Sequence, residues 1–387
     1  MKKRVMFYCQ SLLGIGHFIR SRELLFALRD FEVCFLYGGE AVPGFDWPDW
    51  VEVVYLPALR SDTAFENLYV VGGQTTLEEV KASRKEMLLS TFDRFSPDIL
   101  LIELFPFGRK KFNFELLPLL THARSSRSGL KIVCSLRDIL VHRASQETYE
   151  ADVCKRVNQF FDLLLVHADP RVQRLEETFG SVAELNCPIH YTGYVAQPTH
   201  ISPVTDTNDP LILVSIGGGR VGHELIACAL DASPQLPFSH RLQIFTGPHI
   251  PDDQLIRLQN QASALPQANL QRHTTEFPAW LGRAALSISM AGYNTCMDIL
   301  AAQARALVYP FHEHDNDEQT RRARKLEQFG FVRMLDPERL SPEFLASEIS
   351  LALATPPQLP HTAIDLQGAP RTAELLAALA SERGGDE

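Results

Sequence analysis

The feature that most constrains the fold is an alternation of short apolar runs with helical stretches. In the first half of the chain, apolar or β-branched runs predict strands at residues 4–9, 31–37, 51–56, 98–104, 131–136 and 163–167. Helices are predicted between them, for example at 19–28 and 78–95. Strands that alternate with helices form parallel β-α-β units and a doubly wound sheet. In such sheets, ligands bind beyond the carboxyl ends of the strands.

The alternation stops and then restarts, which indicates two domains. Residues 193–210 contain three prolines and no periodicity, a pattern typical of an interdomain linker. After it, strands are predicted at 211–215, 241–246, 286–289 and 306–309, with a helix at 225–232. A length of 387 residues also favours more than one domain, since single cores stop growing near ~250–300 residues. We expect domains at 1–196 and 197–365, and a C-terminal helix within 366–387 that could dock back on the first domain.

Composition excludes several classes of function. The net charge of −10 argues against nucleic-acid binding, which needs a basic face. No apolar run reaches the ~20 residues of a membrane span, and the N-terminal residues lack the layout of a signal peptide. The seven cysteines are odd in number and scattered, with neither zinc-site spacing nor a disulfide framework. This usage predicts a reducing, cytoplasmic location.

The loop after the first strand carries a candidate catalytic residue. Gly14 and Gly16 would let a ligand approach the backbone, and His17 follows them at the start of the first helix. A histidine there would place a ring that titrates near neutral pH at the carboxyl edge of the sheet. The alternative is a histidine that only hydrogen-bonds locally.

Two carboxylates near predicted strand ends could support His17. Glu103 and Asp138 each could hold its tautomer and stabilise the charged ring. Either could equally be an ordinary buried ion pair. Next to Glu103, residues 105–114 interleave four phenylalanines with three basic residues. This pattern fits a peripheral membrane-surface or acceptor patch, or a loop whose aromatic rings pack inward.

The second half contains two glycine turns suited to phosphate. Gly217, Gly218 and Gly219 follow a strand, and their N–H groups could form an anion nest beside Arg220. Gly292 precedes a helical run, and a helix N-terminus attracts phosphate through its free N–H groups and its dipole. One turn into that helix, Asp298 could reach a ribose diol. This combination suggests a nucleotide sugar as ligand.

The loop after residues 306–310 is acidic and polar. It contains Asp315, Asn316 and Asp317, which look like a metal-binding DxD motif. Such motifs in metal-dependent transferases belong to a different, single-domain architecture, so we expect no metal site. Glu318 and Gln319 are better explained as hydrogen-bond partners of the donor sugar.

With these residues in view, the chain resembles the GT-B glycosyltransferases, particularly family 28, which includes peptidoglycan-precursor N-acetylglucosaminyltransferases. The resemblance rests on SMAGYNTCMDILAAQARALVYPF followed by Glu318 and Gln319, and on the GIGH loop. The segments ILLIELFPFGRKKFNFELLPLL and SLRDIL are similar to a subgroup of bacterial predicted glycosyltransferases. The resemblance implies an α/β protein of the GT-B class, with two Rossmann-like domains facing across a cleft.

The resemblance also implies roles for individual positions. His17 matches a candidate general base, and Asp298 matches the acidic residue that grips the ribose, where glutamate is usual. Phe277 lies in a stretch similar to the base-contacting turn. The other implied donor contacts are Gly217, Gly218, Gly219, Arg220, Gly292, Tyr293, Asn294, Thr295, Glu318 and Gln319. Gly14 and Gly16 belong to an acceptor loop that is shorter than the family's version.

Together these features predict an inverting, metal-independent glycosyltransferase that needs no cofactor and uses a nucleotide-diphosphate sugar, with UDP the favoured nucleotide. The acceptor would be a hydroxyl or an amine. We expect a cytoplasmic protein, with peripheral contact at the inner membrane face as an option. Two alternatives stay open: a nucleotide-sugar epimerase or hydrolase on the same fold, and a non-catalytic binding subunit.

Overall fold

The computed structural model describes residues 2–12, 14–42, 44, 47–61, 67–73, 75–126, 129–199, 209–311, 317–356 and 363–381. The chain forms two compact units. The N-terminal unit comprises Met1–Val195 and Asp365–Glu387, and the C-terminal unit comprises Ala196–Ile364. The C-terminal segment therefore belongs to the N-terminal unit.

The N-terminal unit is built on a parallel sheet. Its strands are β1 (Arg4–Cys9), β2 (Glu32–Tyr37), β3 (Val51–Tyr55), β6 (Ile99–Glu103), β7 (Lys131–Arg137), β8 (Leu163–His167) and β9 (Ile189–Tyr191). A separate antiparallel hairpin consists of β4 (Leu59–Ser61) and β5 (Leu68–Val70). The helices are α1 (Gly16–Ala27), α2 (Leu77–Phe95), α3 (Asn113–Ser126), α4 (Gln146–Phe160) and the C-terminal α11 (Gly368–Ser381). The order across the sheet is β3-β2-β1-β6-β7-β8-β9.

Burial explains why the inner strands are continuous apolar runs. Every residue of β6 is buried, as are the last five residues of β1, because a parallel sheet is covered on both faces. Helix α11 packs against α1 and adds Ala369 and Leu376 to the same core. Val195 pairs with Gln367, so the segments that leave and re-enter the N-terminal unit lie side by side.

The C-terminal unit repeats this plan. Its strands are β10 (Leu211–Ser215), β11 (Arg241–Phe245), β12 (Ala268–Gln271), β13 (Leu286–Met290), β14 (Ala306–Tyr309) and β15 (Arg333–Met334). Its helices are α5 (His223–Ala232), α6 (Asp252–Ser263), α7 (Phe277–Arg283), α8 (Tyr293–Ala302), α9 (Glu318–Gln328) and α10 (Pro342–Ala354). The order is β12-β11-β10-β13-β14-β15, with parallel pairing throughout the described strands.

The strand order reverses once in each sheet. In the N-terminal unit the reversal lies between β1 and β6, and in the C-terminal unit it lies between β10 and β13. A crevice forms at the carboxyl ends of the strands at such a point, and ligands bind there. The loops that follow these four strands are therefore the places to look for a site.

Two further observations concern the whole chain. Within the described ranges, we find no helix with the length and apolar character needed to cross a membrane. All seven cysteines are free thiols, and six of them are buried. No disulfide therefore contributes to the stability of either unit.

Candidate active site

His17 and Glu103 meet where the N-terminal sheet reverses its order. His17 is the second residue of α1, which follows β1, and Glu103 is the last residue of the adjacent β6. The Nδ1 atom of His17 lies 2.7 Å from Oε1 of Glu103. The glutamate is fully buried, whereas 21% of the His17 side chain is exposed. When Nδ1 donates its proton to Glu103, Nε2 is the ring nitrogen that can accept a proton.

Two arginines set the charge of this pair. Arg20, one turn further along α1, contacts Oε1 of Glu103, and Nη2 of Arg109 lies 3.4 Å from Oε2. Burial lowers the pKa of His17 to about 4; Glu103 opposes this shift, and Arg109 and Arg20 add to it. Burial raises the pKa of Glu103, but His17, Arg109 and Arg20 outweigh it and hold that pKa well below its usual range. At neutral pH the pair is therefore a neutral imidazole backed by a carboxylate.

Asp138, the other candidate carboxylate, follows β7 and is also fully buried. Its Oδ1 accepts a hydrogen bond of 2.9 Å from the backbone N–H of its neighbour Ile139. The carboxylate that the structure brings to His17 is Glu103. Asp138 comes one strand further along the sheet, because β7 neighbours β6 and not β1.

A buried hydrogen-bond chain, which was not predicted from the sequence, adjoins this cluster. His167, at the end of β8, places Nε2 2.8 Å from Oγ of Ser135 and Nδ1 2.9 Å from Oγ1 of Thr192. Burial, with a further contribution from Arg20, lowers the pKa of His167 to about 3. The ring is therefore neutral at physiological pH and links β7, the end of β8 and the residue after β9. The only signal for it in the sequence was a histidine at the end of the otherwise apolar strand β8.

Three of the four aromatic rings in the loop at 105–114 are turned away from the surface. Phe105, Phe107 and Phe112 are between 0% and 2% exposed. These three rings belong to the core, as the inward-packing alternative predicts, whereas Phe114 is half-buried. Membrane contact through this loop stays a prediction. Of the three basic residues that follow, Lys110 is exposed, while Arg109 is turned inward to Glu103.

In the C-terminal unit, two glycine turns are locked together by their backbones. Gly219 has φ of +89°, and a Cβ there would lie 2.5 Å from the carbonyl oxygen of Thr246. Gly247, with φ of +87°, would place a Cβ 2.4 Å from the nitrogen of Gly219. The N–H of His249 donates to the carbonyl of Gly218 at 3.0 Å. The turn after β11 therefore fixes the predicted loop after β10, a partner that the sequence analysis missed.

The start of α8 is open to a ligand. Gly292 caps this helix with φ of −65°, and no atom lies within 4 Å of a Cβ built on it. The first turn is formed by Tyr293, Asn294 and Thr295 and contains no acidic side chain. The N–H groups of the first turn and the helix dipole make a helix N-terminus attractive to a phosphate.

Asp298, further along α8, is covered in this structure. Only 3% of it is exposed. Its Oδ2 accepts a hydrogen bond of 3.0 Å from Nε2 of Gln197. The residue predicted to hold a ribose therefore already has a side-chain partner.

Glu318 and Gln319 begin α9 and are tied to neighbouring loops. Oε1 of Glu318 accepts a hydrogen bond of 2.7 Å from Arg322, whose other terminal nitrogen donates to the carbonyl of Ala291 at 3.0 Å. Oε1 of Gln319 accepts from the N–H of Phe311 at 3.1 Å. Arg322 was not predicted; a basic residue four positions after Glu318 was its only signal. It joins α9 to the turn before α8.

Two more predicted contacts can be placed. Arg220 lines a surface pocket of about 320 Å³ together with Glu224, Tyr309 and Phe311. Phe277 begins α7, and its ring centroid lies 6.1 Å from that of Phe245 at the end of β11. Both residues therefore lie at the carboxyl edge of the C-terminal sheet.

Only part of the motif that resembles a metal-binding DxD sequence lies within the described residues. Asp315 and Asn316 lie outside the described residues, whereas Asp317 is described and forms an ion pair with Arg321. In the part of the chain that the structure describes, no group of three or more His, Cys, Asp or Glu side chains could hold a metal ion.

Comparison with known proteins gives consistent likenesses. Residues 212–376 match the family described as Glycosyltransferase family 28 C-terminal domain. A UDP-N-acetylglucosamine–N-acetylmuramyl-(pentapeptide) pyrophosphoryl-undecaprenol N-acetylglucosamine transferase of Syntrophotalea carbinolica is 31% identical over 158 residues, 41% of this chain and 44% of the relative. The protein of the same name from Erythrobacter litoralis is 29% identical over 225 residues, 56% of each chain. The chain thus spans about half the length of the curated relatives it matches.

Solved structures extend the likeness to the whole fold. The calicheamicin glycosyltransferase superposes with a TM-score of 0.61 at 16% identity, over 100% of both chains. MurG of Acinetobacter baumannii gives a TM-score of 0.57 at 15% identity, over 98% of this chain and 100% of that one.

The two parallel sheets and these superpositions define a protein of the GT-B fold, as the sequence predicted. Residues 212–376, less than half of the chain, are similar to the glycosyltransferase family 28 C-terminal domain. The predicted phosphate turns Gly217–Gly219 and Gly292 both lie inside the matched residues, whereas His17 and Glu103 lie in the N-terminal unit.

Proposed function

We propose that this protein is a glycosyltransferase that moves a sugar from a UDP-linked donor to an acceptor hydroxyl or amine. The observation that carries the proposal is the pair of His17 and Glu103: a neutral ring, held at Nδ1 by a buried carboxylate, with Nε2 left for a proton. The family match of residues 212–376 and the UDP-N-acetylglucosamine named for the curated relatives support the donor class.

The chemistry follows from the residues. Nε2 of His17 takes the proton of the acceptor group as that group attacks the anomeric carbon, and Glu103 stabilises the imidazolium that forms. The bond between the anomeric carbon and the diphosphate oxygen breaks, and its electron pair leaves with the diphosphate. The N-terminus of α8 at Gly292 stabilises that charge without a metal. A single displacement inverts the anomeric configuration.

The remaining roles are assigned by position. We place the diphosphate on the turns at Gly217–Gly219 and Gly292, with Arg220 beside it. We place the ribose at Asp298, the base near Phe277 and the donor sugar near Glu318 and Gln319. No cofactor is needed, and free thiols support a reducing, cytoplasmic compartment.

The first experiment determines the ligand class. Thermal unfolding should be followed with UDP, dTDP, GDP and ADP, each with and without magnesium. A ligand at about 100 times its Kd stabilises the folded state by ~2.7 kcal/mol. A selective shift with UDP that does not need magnesium, followed by transfer from a UDP-sugar to an acceptor panel, supports the proposal. Turnover of the UDP-sugar without any acceptor would favour an epimerase or hydrolase, and binding without turnover would favour a non-catalytic subunit.

The low pKa of His17 predicts an unusual dependence of kcat/KM on pH. Because the pKa of the ring is lowered from 6.5 to about 4, the base is deprotonated at any pH above that value. We expect kcat/KM to stay level from neutral pH down to about 5, and to fall about tenfold per pH unit below the pKa. Circular dichroism at each pH provides the control for folding. An acid limb centred between 6 and 7 would contradict the proposed environment of His17.

Gly292 offers a test of ligand approach that leaves the fold intact. Its φ is negative and a Cβ meets no atom within 4 Å, so the empty protein does not require glycine there. We expect Gly292→Ala to lower the free energy of unfolding by less than about 1 kcal/mol, the usual scale of a changed N-cap. Its affinity for UDP should fall at least about tenfold, because the methyl group keeps the diphosphate from the helix N-terminus. Calorimetric titration measures this, and unchanged affinity would remove the diphosphate from this turn.

A further inference from the structure

Gln197 contacts the carboxylate that the proposed function assigns to the ribose. It lies two residues beyond the end of the N-terminal unit, at the start of the C-terminal unit. Its Nε2 donates a hydrogen bond of 3.0 Å to Oδ2 of Asp298, which is 101 residues further along the chain. A contact so distant in sequence depends on how the chain enters the C-terminal unit.

The segment that carries Gln197 is anchored just before it. The N–H of Tyr194 donates to the carbonyl of Asp365 at 2.8 Å, and the N–H of Gly368 donates to the carbonyl of Tyr194 at 2.9 Å. Val195 pairs with Gln367 in an antiparallel bridge. The backbone is thus fixed two residues before Gln197.

The physical chemistry of Asp298 makes this contact consequential. A buried carboxylate requires hydrogen-bond donors, and the amide of Gln197 supplies one. The hydroxyls of a ribose would donate to the same carboxylate. A carboxylate can accept several hydrogen bonds, but only 3% of Asp298 is exposed. A ribose hydroxyl therefore reaches Oδ2 only when the amide of Gln197 moves aside, so that the two compete.

We propose that Gln197 competes with the ribose for Asp298 and thereby sets the affinity for the nucleotide. The inference rests on the proposed function, because it takes Asp298 as the ribose contact. In the nucleotide-free protein the amide covers the carboxylate, and only the fraction with Asp298 released binds the diol. The apparent Kd is raised in proportion to that fraction.

Calorimetric titration of wild type and Gln197→Ala with UDP and with 2′,3′-dideoxy-UDP tests this competition. We expect Gln197→Ala to bind UDP about fivefold more tightly, the scale of one net hydrogen bond. The affinity for dideoxy-UDP should not change, because this ligand has no hydroxyls to displace the amide. Asp298→Asn serves as the control: its affinity for UDP should fall towards its affinity for dideoxy-UDP.

The outcomes separate this inference from the proposed function. Weaker binding of UDP to Gln197→Ala would mean that Gln197 positions Asp298 and would overturn the competition. Equal changes for UDP and dideoxy-UDP would overturn it as well, since a general effect on the fold or on access would move both. Binding of UDP by wild type in either case leaves the proposed function standing. Absence of nucleotide binding by wild type would remove both.

Discussion

Replacement of His17 by alanine is expected to lower kcat for sugar transfer by ~10²–10⁴-fold, the usual contribution of a general base. The ring is the proton acceptor in the proposed displacement, and alanine offers no basic atom. The Kd for UDP should change by less than about twofold, because the proposed nucleotide contacts lie in the C-terminal unit. Steady-state turnover and calorimetric titration of the same preparation give the two quantities.

Two further variants make this result specific. His17→Gln retains a polar side chain of similar reach without a basic nitrogen, so kcat should fall as far as in His17→Ala. His122→Ala is the matched control: this histidine of α3 pairs with Asp93 at 2.6 Å and is 37% exposed. Its removal should leave kcat unchanged. If His17→Ala turned over at the wild-type rate, His17 would not be the base; an equal loss of UDP affinity would assign it to binding instead.

The strands of the fold could be predicted because strands buried on both faces consist of continuous apolar residues. β1, β8, β10 and β14 have the predicted bounds, since each is covered on both faces of its sheet. Helix α9, with the sequence EQTRRARKLEQ, was missed because its buried residues are Glu318, Arg322, Ala323 and Leu326, of which only two are apolar. The short edge strand β15 has only two residues, too few to show any period.

The candidate site could be predicted less completely from the sequence, because it depends on which strands are neighbours in the sheet. Glu103 ends one buried strand and Asp138 follows the next, and the sequence could not choose between them. The choice follows from the sheet order, in which β6 and not β7 lies beside β1. Gly247 and Gln197 act through contacts with residues remote in sequence, Gly219 and Asp298. No local pattern encodes such partners.

A buried ion pair in the N-terminal unit depends in the same way on contacts between residues that are distant in sequence. Arg84 of α2 and Glu115 of α3 are both fully buried, with Nη2 2.6 Å from Oε1 and Nε 2.8 Å from Oε2. Tyr8 donates to the same carboxylate at 2.6 Å, and Arg84 also donates to Gln10 at 2.8 Å. This bidentate pair fixes two helices against the start of the loop that leads to His17.

Arg84→Met is expected to lower the free energy of unfolding of the N-terminal unit by ~3–5 kcal/mol, because it leaves the charge of Glu115 buried without a counter-ion. Urea unfolding followed by tryptophan fluorescence measures this. In a Trp280→Phe background the signal comes from Trp47 and Trp50 alone, which both lie in the N-terminal unit. That background isolates the unit in which the charge is lost.

The effect of the unpaired Glu115 charge on stability can be separated from the effect of lost packing. Adding Glu115→Gln to Arg84→Met removes the unpaired charge and retains an acceptor for Tyr8, so the double variant should be more stable than Arg84→Met. Arg94→Ala, on the same helix, breaks a pair with Glu52 whose side chains are 56% and 45% exposed, and should cost less than about 1 kcal/mol. A double variant no more stable than Arg84→Met would show that the arginine acts through its packing and its bonds to Gln10 and Pro57 rather than through its charge.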